Sequence, residues 1–533
     1  MTDAIFVNGN ICTLDSGQPI VQAVVVQDGK IVDLGSTKDM LLQWGRSGTR
    51  TVDLQGCTVT PGLIDSHLHL SGVAQSFIYL DLTSVTSKQE LLIKVKQRSD
   101  QLQEGEWLIG RGWDENLFRD GSLPGLAELD RVASHCPLLL TRICGHAFLV
   151  NSRALDTIGY HREMDIPAGG EIVLDPAIKE PTGLVLETAS ELFRKHIPAP
   201  GYQQLKAAVK QAMQLALSCG LTSAHTEDLR YLGGLEQTYR IYDELIIQEE
   251  AGLRCNLLVY YPYMQALKER NMCAGFGNSS LQIGAIKIFA DGALGRRTAY
   301  LSEPYSDAPS QCGQPIHDKA ALSEIIREAR SLHFPVAVHV IGDKALEVVL
   351  DCLDQHPPVR YRDRLIHTQI LRPDLLPRLS QPSRVADIQP RFVVGDFPWV
   401  VERVGRERIN FSYIWKTMRA AGILCAGGSD APVEPIHPLL GIHAAVTRRG
   451  PGETHQGWNE AERLSVREAV ELFTVGGALA TNEESVKGTL SRGKWADMTV
   501  YSRNLFSGEP DELLSTEIMM TIIGGKVFYQ KGA

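Results

Sequence analysis

Two histidines one residue apart, His67 and His69 in PGLIDSHLHL, sit at the end of an apolar run. Alternate side chains of an extended strand share a face, so both imidazoles turn to the same side. Paired imidazoles pack poorly in a core and bind divalent metals well. Alone, H-x-H is a weak signal, because two satisfied core histidines read the same way. Three more polar residues close later apolar runs: His339 in PVAVHVIGD, His367 in RLIHTQI and Asp430 in CAGGSDAP. Lys287 lies inside another run, GAIKIFADG, where a dry and unpaired ammonium would be costly. Taken singly, each is more readily a core or rim group than a ligand. Together they need a common explanation, and a metal centre supplies one.

The runs that end in these residues must bring them to one place. Apolar segments at Val59–Ile64, Leu221–Thr226, Cys255–Tyr261, Gly284–Phe289, Val336–Ile341, Arg364–Gln369, Val385–Gln389 and Leu424–Gly428 read as strands. Helical patterns such as Tyr202–Ser218, Lys319–Leu332, Lys344–Gln355 and Val466–Phe473 separate or follow them. Eight strands, each followed by a helix, predict a (β/α)₈ TIM barrel, whose strand ends surround one cavity at the top face. The long gap after the first strand exceeds any ordinary βα connection, so about 72–200 reads as an inserted subdomain. At the N-terminus, Ala4–Val7, Val21–Gln27 and Ile31–Leu34 read as strands punctuated by Asn8-Gly9 and Asp28-Gly29 hairpin turns. Met498–Tyr501 and the Ile518–Ile523, Gly524-Gly525, Lys526–Tyr529 hairpin repeat that signature. Neither end can bury a core alone. Pairing 1–56 with 486–533 gives a small β-sandwich domain beside a barrel over 57–485.

The net charge of -10 gives no support to nucleic-acid binding. No basic-then-apolar leader opens MTDAIFVNGNICTLD, and no uncharged apolar run is long enough to span a bilayer. Ten cysteines without a C-x-x-C pair read as reduced thiols. The expectation is a cytoplasmic protein without a membrane partner, a homodimer by default of soluble assemblies.

The chain resembles the amidohydrolase superfamily along nearly its whole length, and within it the subfamily typified by N-substituted formamide deformylase. The resemblance is carried by PGLIDSHLHL, GRGWDENLF, HCPLLLTRICGHAFLVNSRAL, PTGLVLETA, GLTSAHTED, IKIFADGALGRRTAYL, VAVHVIGDKAL, ADIQPRF, GGSDAPVEPIHPLLGIHAAVTR and GTLSRGKWADMTVY. It implies that His67 and His69 are first-strand metal ligands, His339 and His367 those of strands five and six, and Asp430 the strand-eight carboxylate. Lys287 stands where such proteins can carry a carboxylated lysine, a CO₂-derived carbamate bridging two metals. Trp113, Asp114, His146, Arg297 and Trp399 fall in matching loops and are the substrate-binding candidates. Packing is the competing reading for both tryptophans, and local backbone capping for His146. His225 is a lesser pocket candidate, and His437 and His443 read as loop and helix structure. The ADGALG turn lacks the G-K-[ST] of a phosphate cradle. Two departures stand out: Ile366 replaces the acidic residue expected before the strand-six histidine, and Arg296 replaces a small one. Alternation points Ile366 away from the cavity.

The implied reaction is hydrolysis of a non-peptide amide C–N bond, that of an N-substituted formamide or similar small molecule. One or two divalent ions, zinc by the histidine-rich set, would activate hydroxide. Asp430 would serve as general base and acid, with His339 or His367 beside the oxyanion. A cyclic amide, an aminated ring or an ester is the alternative substrate, since one fold serves many chemistries. A non-catalytic barrel scaffold is the alternative from another class.

Overall fold

A computed structural model describes residues 3–118, 122–358 and 360–532. Eight parallel strands form its largest sheet: β1 Leu63–Leu68, β2 Leu221–Thr226, β3 Arg254–Tyr260, β4 Leu281–Phe289, β5 Val336–Val340, β6 Asp363–His367, β7 Arg384–Ile388 and β8 Leu424–Gly427. Neighbours in sequence are neighbours in the sheet. Just past β8, the Asp430 N–H donates to the His67 carbonyl at 2.7 Å, and the His69 N–H donates to Ala431 at 2.8 Å. These bonds bring the first and last strands together, and the barrel expectation holds. Gly428 permits the approach: a Cβ there would lie 2.6 Å from the His67 amide nitrogen. Helices follow the pattern of the sequence, with Tyr202–Ser218, Lys319–Ser331 and Asp343–Gln355 among them. The Asp318 side chain caps the second of these by accepting from the Ala321 N–H at 2.8 Å.

Two expectations need correction. The run Val59–Ile64 is not one strand, because Thr58–Pro61 pairs antiparallel with Met498–Tyr501 outside the barrel. β1 begins only at Leu63, after the Pro61-Gly62 break. Asn8-Gly9 does not close a hairpin either. It passes the chain from Ala4–Val7, in a four-stranded sheet, to Asn10–Cys12, in a six-stranded one. The first sheet runs Lys30–Gly35, Ala23–Gln27, Ala4–Val7, Arg50–Asp53; the second includes Met498–Tyr501, Ile518–Ile523 and Lys526–Gln530. Phe6, Val24 and Val26 share one buried cluster with Val59, Met498, Val500 and Ile522, so the two termini bury their apolar faces jointly. Arg254 of β3 is tied to this layer by a buried pair with Asp497, Nε to Oδ2 at 2.7 Å.

The chain between β1 and β2 forms a compact unit of its own over 73–211. Its mixed six-stranded sheet includes Leu108–Trp113, Leu138–Arg142, Ala147–Val150 and Pro181–Leu186. Among the described residues, no helix is long and apolar enough to cross a membrane.

Candidate metal centre

β1 delivers His67, buried, and His69, whose side chain is 16% exposed. The turn after β8 delivers Asp430 in the left-handed region, φ 56°, a conformation costing on the order of 1 kcal/mol that positions its carboxylate against β1. Asp430 Oδ1 lies 3.4 Å from His67 Nε2 and 3.3 Å from His69 Nε2. Ligand atoms of these three residues lie within 4.8 Å of one another. The His367 ring centre is 5.9 Å from that of His67 and 4.6 Å from that of His339. Lys287 Nζ is 3.4 Å from His67 Nε2. Six residues from five strands therefore meet at the C-terminal end of the barrel.

Whether they fit a cation is decided by their other ring nitrogens. His69 Nδ1 donates to the Glu227 carbonyl at 2.9 Å, which leaves Nε2 its lone pair. His367 Nδ1 donates to Gln389 Oε1 at 2.7 Å, and the Gln389 amide is oriented by its own donation to the Asp387 carbonyl at 3.0 Å. His339 Nε2 donates to the Gly292 carbonyl at 3.0 Å, leaving Nδ1. His67 Nδ1 is buried without a partner among the described residues. Burial and the Lys287 charge drive His67 well below the ordinary imidazole range. Burial does the same to His339, and lowers His367 to about 4 against the pull of Asp430. Burial also acts on His69, but Asp430 outweighs it and raises that histidine. Asp430 is pushed up by burial and brought back below the usual carboxylate value by His69 and His367. Imidazoles held neutral at His67, His339 and His367, tautomers fixed at His69, His339 and His367, and an ionised carboxylate are what a divalent ion requires. The residues fit the group. Lys287 is lowered by burial to about 8, so its amine loses its proton easily.

Beneath the centre, Ser66 Oγ donates to Asp387 Oδ1 at 2.5 Å and Arg364 Nε to Asp387 Oδ2 at 3.0 Å, while Arg364 Nη2 reaches the Ser66 carbonyl. Asp65 accepts from the His67 N–H at 3.1 Å and the Ser429 N–H at 3.0 Å, tying β1 to the Asp430 turn. Asp291 accepts from the Tyr300, Ile341 and Gly342 N–H groups within 3.0 Å and orders the loops after β4 and β5. Glu227, Gln389, Asp291, Asp65 and Arg364 were not singled out from the sequence. Glu227, Gln389 and Asp291 lie one or two residues beyond strand ends, where the ligands were sought.

Ile366 does not point away from the barrel interior. It packs with Leu258, Ala285 and Ala337, and Ala337 lies two residues before His339 on the regularly paired β5, on the same face. His367 takes φ 78°, which breaks alternation and turns both neighbours inward. Of the substrate candidates, Trp113, Asp114 and His146 belong to the 73–211 unit, and Arg297 and Trp399 to the unit that holds the barrel. Trp113 is 1% exposed in the core of the 73–211 unit, its Nε1 donating to the Leu140 carbonyl at 3.0 Å, so packing claims it. Asp114 accepts from Arg142 Nη2 at 2.8 Å, and His146 Nδ1 meets Glu187 Oε2 at 2.9 Å, both in that same unit. Arg297 is occupied by Asp307 through Nε and Nη2, at 3.1 and 2.7 Å. Trp399 Nε1 donates to the Gly395 carbonyl at 2.9 Å within helix Phe392–Arg408. His225 is buried with both ring nitrogens unpartnered among the described residues, and His443 meets Asp511 Oδ1 at 2.9 Å.

A family model described as the amidohydrolase family matches residues 50–529. The Bacillus subtilis protein YtcJ is 41% identical over 99% of each chain. N-substituted formamide deformylase of Arthrobacter pascens is 25% identical over 100% of this chain and 99% of its own, a more distant relative than the resemblance implied. The crystal structure of a metal-dependent hydrolase of Pyrococcus furiosus superposes with a TM-score of 0.76 at 30% identity, covering 95% of this chain and 100% of that one.

Proposed function

The chain belongs to the amidohydrolase family and is a metal-dependent hydrolase; within that family we propose that it cleaves the C–N bond of a small non-peptide amide, an N-substituted formamide or a similar open-chain amide. The observation that carries this reading is the Asp430 carboxylate, 3.4 and 3.3 Å from the Nε2 atoms of two histidines whose lone pairs can hold a cation. His67, His69, His339, His367 and Asp430 would hold the ion, zinc by the donor set. A divalent ion there supplies Lewis acidity, lowering the pKa of water from 15.7 toward about 7 and polarising a carbonyl oxygen. Asp430 takes the proton of the attacking water on its carboxylate and returns it to the leaving nitrogen, so that the amine departs neutral. The unprotonated Lys287 amine can add to CO₂ with loss of a proton. The resulting carbamate would supply an anionic oxygen donor in place of a buried cation and admit a second ion.

A panel of N-substituted formamides, acyl amides, cyclic imides and esters, offered to metal-replete enzyme, tests the reading. Release of amine from the open-chain amides is expected. Turnover confined to the cyclic imides or esters would overturn the substrate assignment.

A further inference from the structure

One cation sits among aromatic rings at the same end of the barrel. Arg230 lies four residues beyond β2, with its guanidinium 4.9 Å from the Tyr260 ring centre and 4.8 Å from that of Phe289. A third ring, Tyr231, is 5.4 Å away. Phe289 in turn lies 5.3 Å from the His339 ring and 4.8 Å from Lys287 Nζ. Tyr231 lies 6.4 Å from the His69 ring. One ring's width therefore separates Arg230 from the metal centre along two paths.

Its hydrogen bonding is far from complete. A guanidinium carries five N–H donors in one plane. Among the described residues, Arg230 spends one, from Nη2 to Glu227 Oε2 at 3.1 Å. Its side chain is 34% exposed, whereas Glu227 is fully buried and its Oε2 also lies 3.6 Å from His69 Nδ1. The rings attract the guanidinium charge, and among the described residues no oxygen other than Glu227 Oε2 accepts from its N–H groups. A charge that only balanced Glu227 would need neither three rings nor a side chain left 34% exposed. A planar donor group flanked by rings, with most of its N–H donors uncommitted among the described residues, matches a carboxylate.

We infer that Arg230 binds an anionic group of the substrate, and that the amide hydrolysed here carries a carboxylate beyond the scissile bond. This rests on the amidohydrolase reading above and narrows it. Tyr231, 46% exposed beside Arg230, offers an apolar face for the chain that links the carboxylate to the amide.

Two matched pairs test the inference on metal-loaded enzyme: N-formyl-L-phenylalanine against N-formylphenethylamine, and N-benzylsuccinamic acid against N-benzylbutanamide. In at least one pair the acid is expected to lead in kcat/KM and in calorimetric affinity, by about ten- to hundredfold for a charge-assisted bond. Arg230→Met should cut that preference at least tenfold, and Arg230→Lys, which keeps the charge but not the fork, should restore part of it. Equal treatment of acid and neutral amide in both pairs overturns the inference. So does an Arg230→Met enzyme that loses both members of a pair alike, which would assign Arg230 to holding Glu227. If no amide of either kind is turned over, the proposed open-chain amide substrate falls while the family assignment stands. Calorimetry then still decides about Arg230, because tighter acid binding lost in Arg230→Met supports its role and equal binding refutes it.

Discussion

Three imidazoles of the centre, those of His69, His339 and His367, are governed by the nitrogen that faces away from it. Gln389 sets the His367 tautomer through a 2.7 Å bond, and loss of such a partner costs a metal site about ten- to a hundredfold in affinity. Gln389→Leu should therefore weaken metal binding by that factor in a competition titration with a chromophoric chelator, and unchanged affinity would contradict the role. For Asp430→Asn the expectation is the reverse: metal retained, and kcat lowered by about two to four orders of magnitude as proton transfer is lost. Metal content and turnover measured on one preparation separate the two variants. The convergence of His67, His69, His339, His367 and Asp430 was legible in the sequence because they are unusual residue types at strand ends, and their candidate role as ligands came from the family resemblance. The tautomer-setting groups on His69 and His339 were not, because the carbonyls of Glu227 and Gly292 carry no residue-type signature. The same blindness hid Arg230, whose significance lies in rings contributed by β3 and β4.

The elements were legible wherever periodicity continued and misread where it broke. Eight apolar runs gave the barrel. Pro61-Gly62 divides a run that hydropathy alone reads as continuous, and the left-handed His367 reverses the facing that alternation assigned to Ile366. Closure between β8 and β1 depends on a contact that only geometry reveals. A Gly428 Cβ would lie 2.6 Å from His67 N and 2.9 Å from His67 O, backbone atoms that cannot swing aside. Gly428→Ala should cost about 1–3 kcal/mol in denaturant unfolding and weaken metal binding, since the displaced backbone carries a ligand. Full stability with full metal content would show that the closure is softer than it looks. Helix Phe392–Arg408 carries a different signal in Asp396, which burial raises to about 6 although Tyr413 donates to it at 2.6 Å. Its folded value exceeds the unfolded value of about 4, so the native state holds the extra proton between those pH values. Its contribution to stability is complete below about pH 4 and is lost as pH rises through about 6. Asp396→Asn should flatten the stability profile across that window, and an unaltered profile would assign the slope to other groups.

At the scale of the molecule, the gap between the first two strands revealed that something is inserted, but not its sheet or its core. Those depend on pairings between strands distant in sequence, such as Ala147–Val150 with Pro181–Leu186, that carry no long-range mark in the sequence. The metal centre draws His67, His69, Lys287, His339, His367 and Asp430 from β1, β4, β5, β6 and the turn after β8, all within the unit formed by 1–72 and 212–533. An unfolded chain cannot hold these groups together, so ion binding is linked to folding of that unit. A free ion at a thousand times its dissociation constant adds about 4 kcal/mol to the native state. Chelation should therefore lower the Tm by several degrees and abolish turnover. Adding Zn²⁺ back should restore both, with Tm continuing to rise as the logarithm of free ion beyond saturation. A Tm indifferent to chelator in protein shown by elemental analysis to have lost its metal would overturn this linkage, because an ion bound by the native state and not by the unfolded chain must raise the Tm, whether or not its six side chains are already in place.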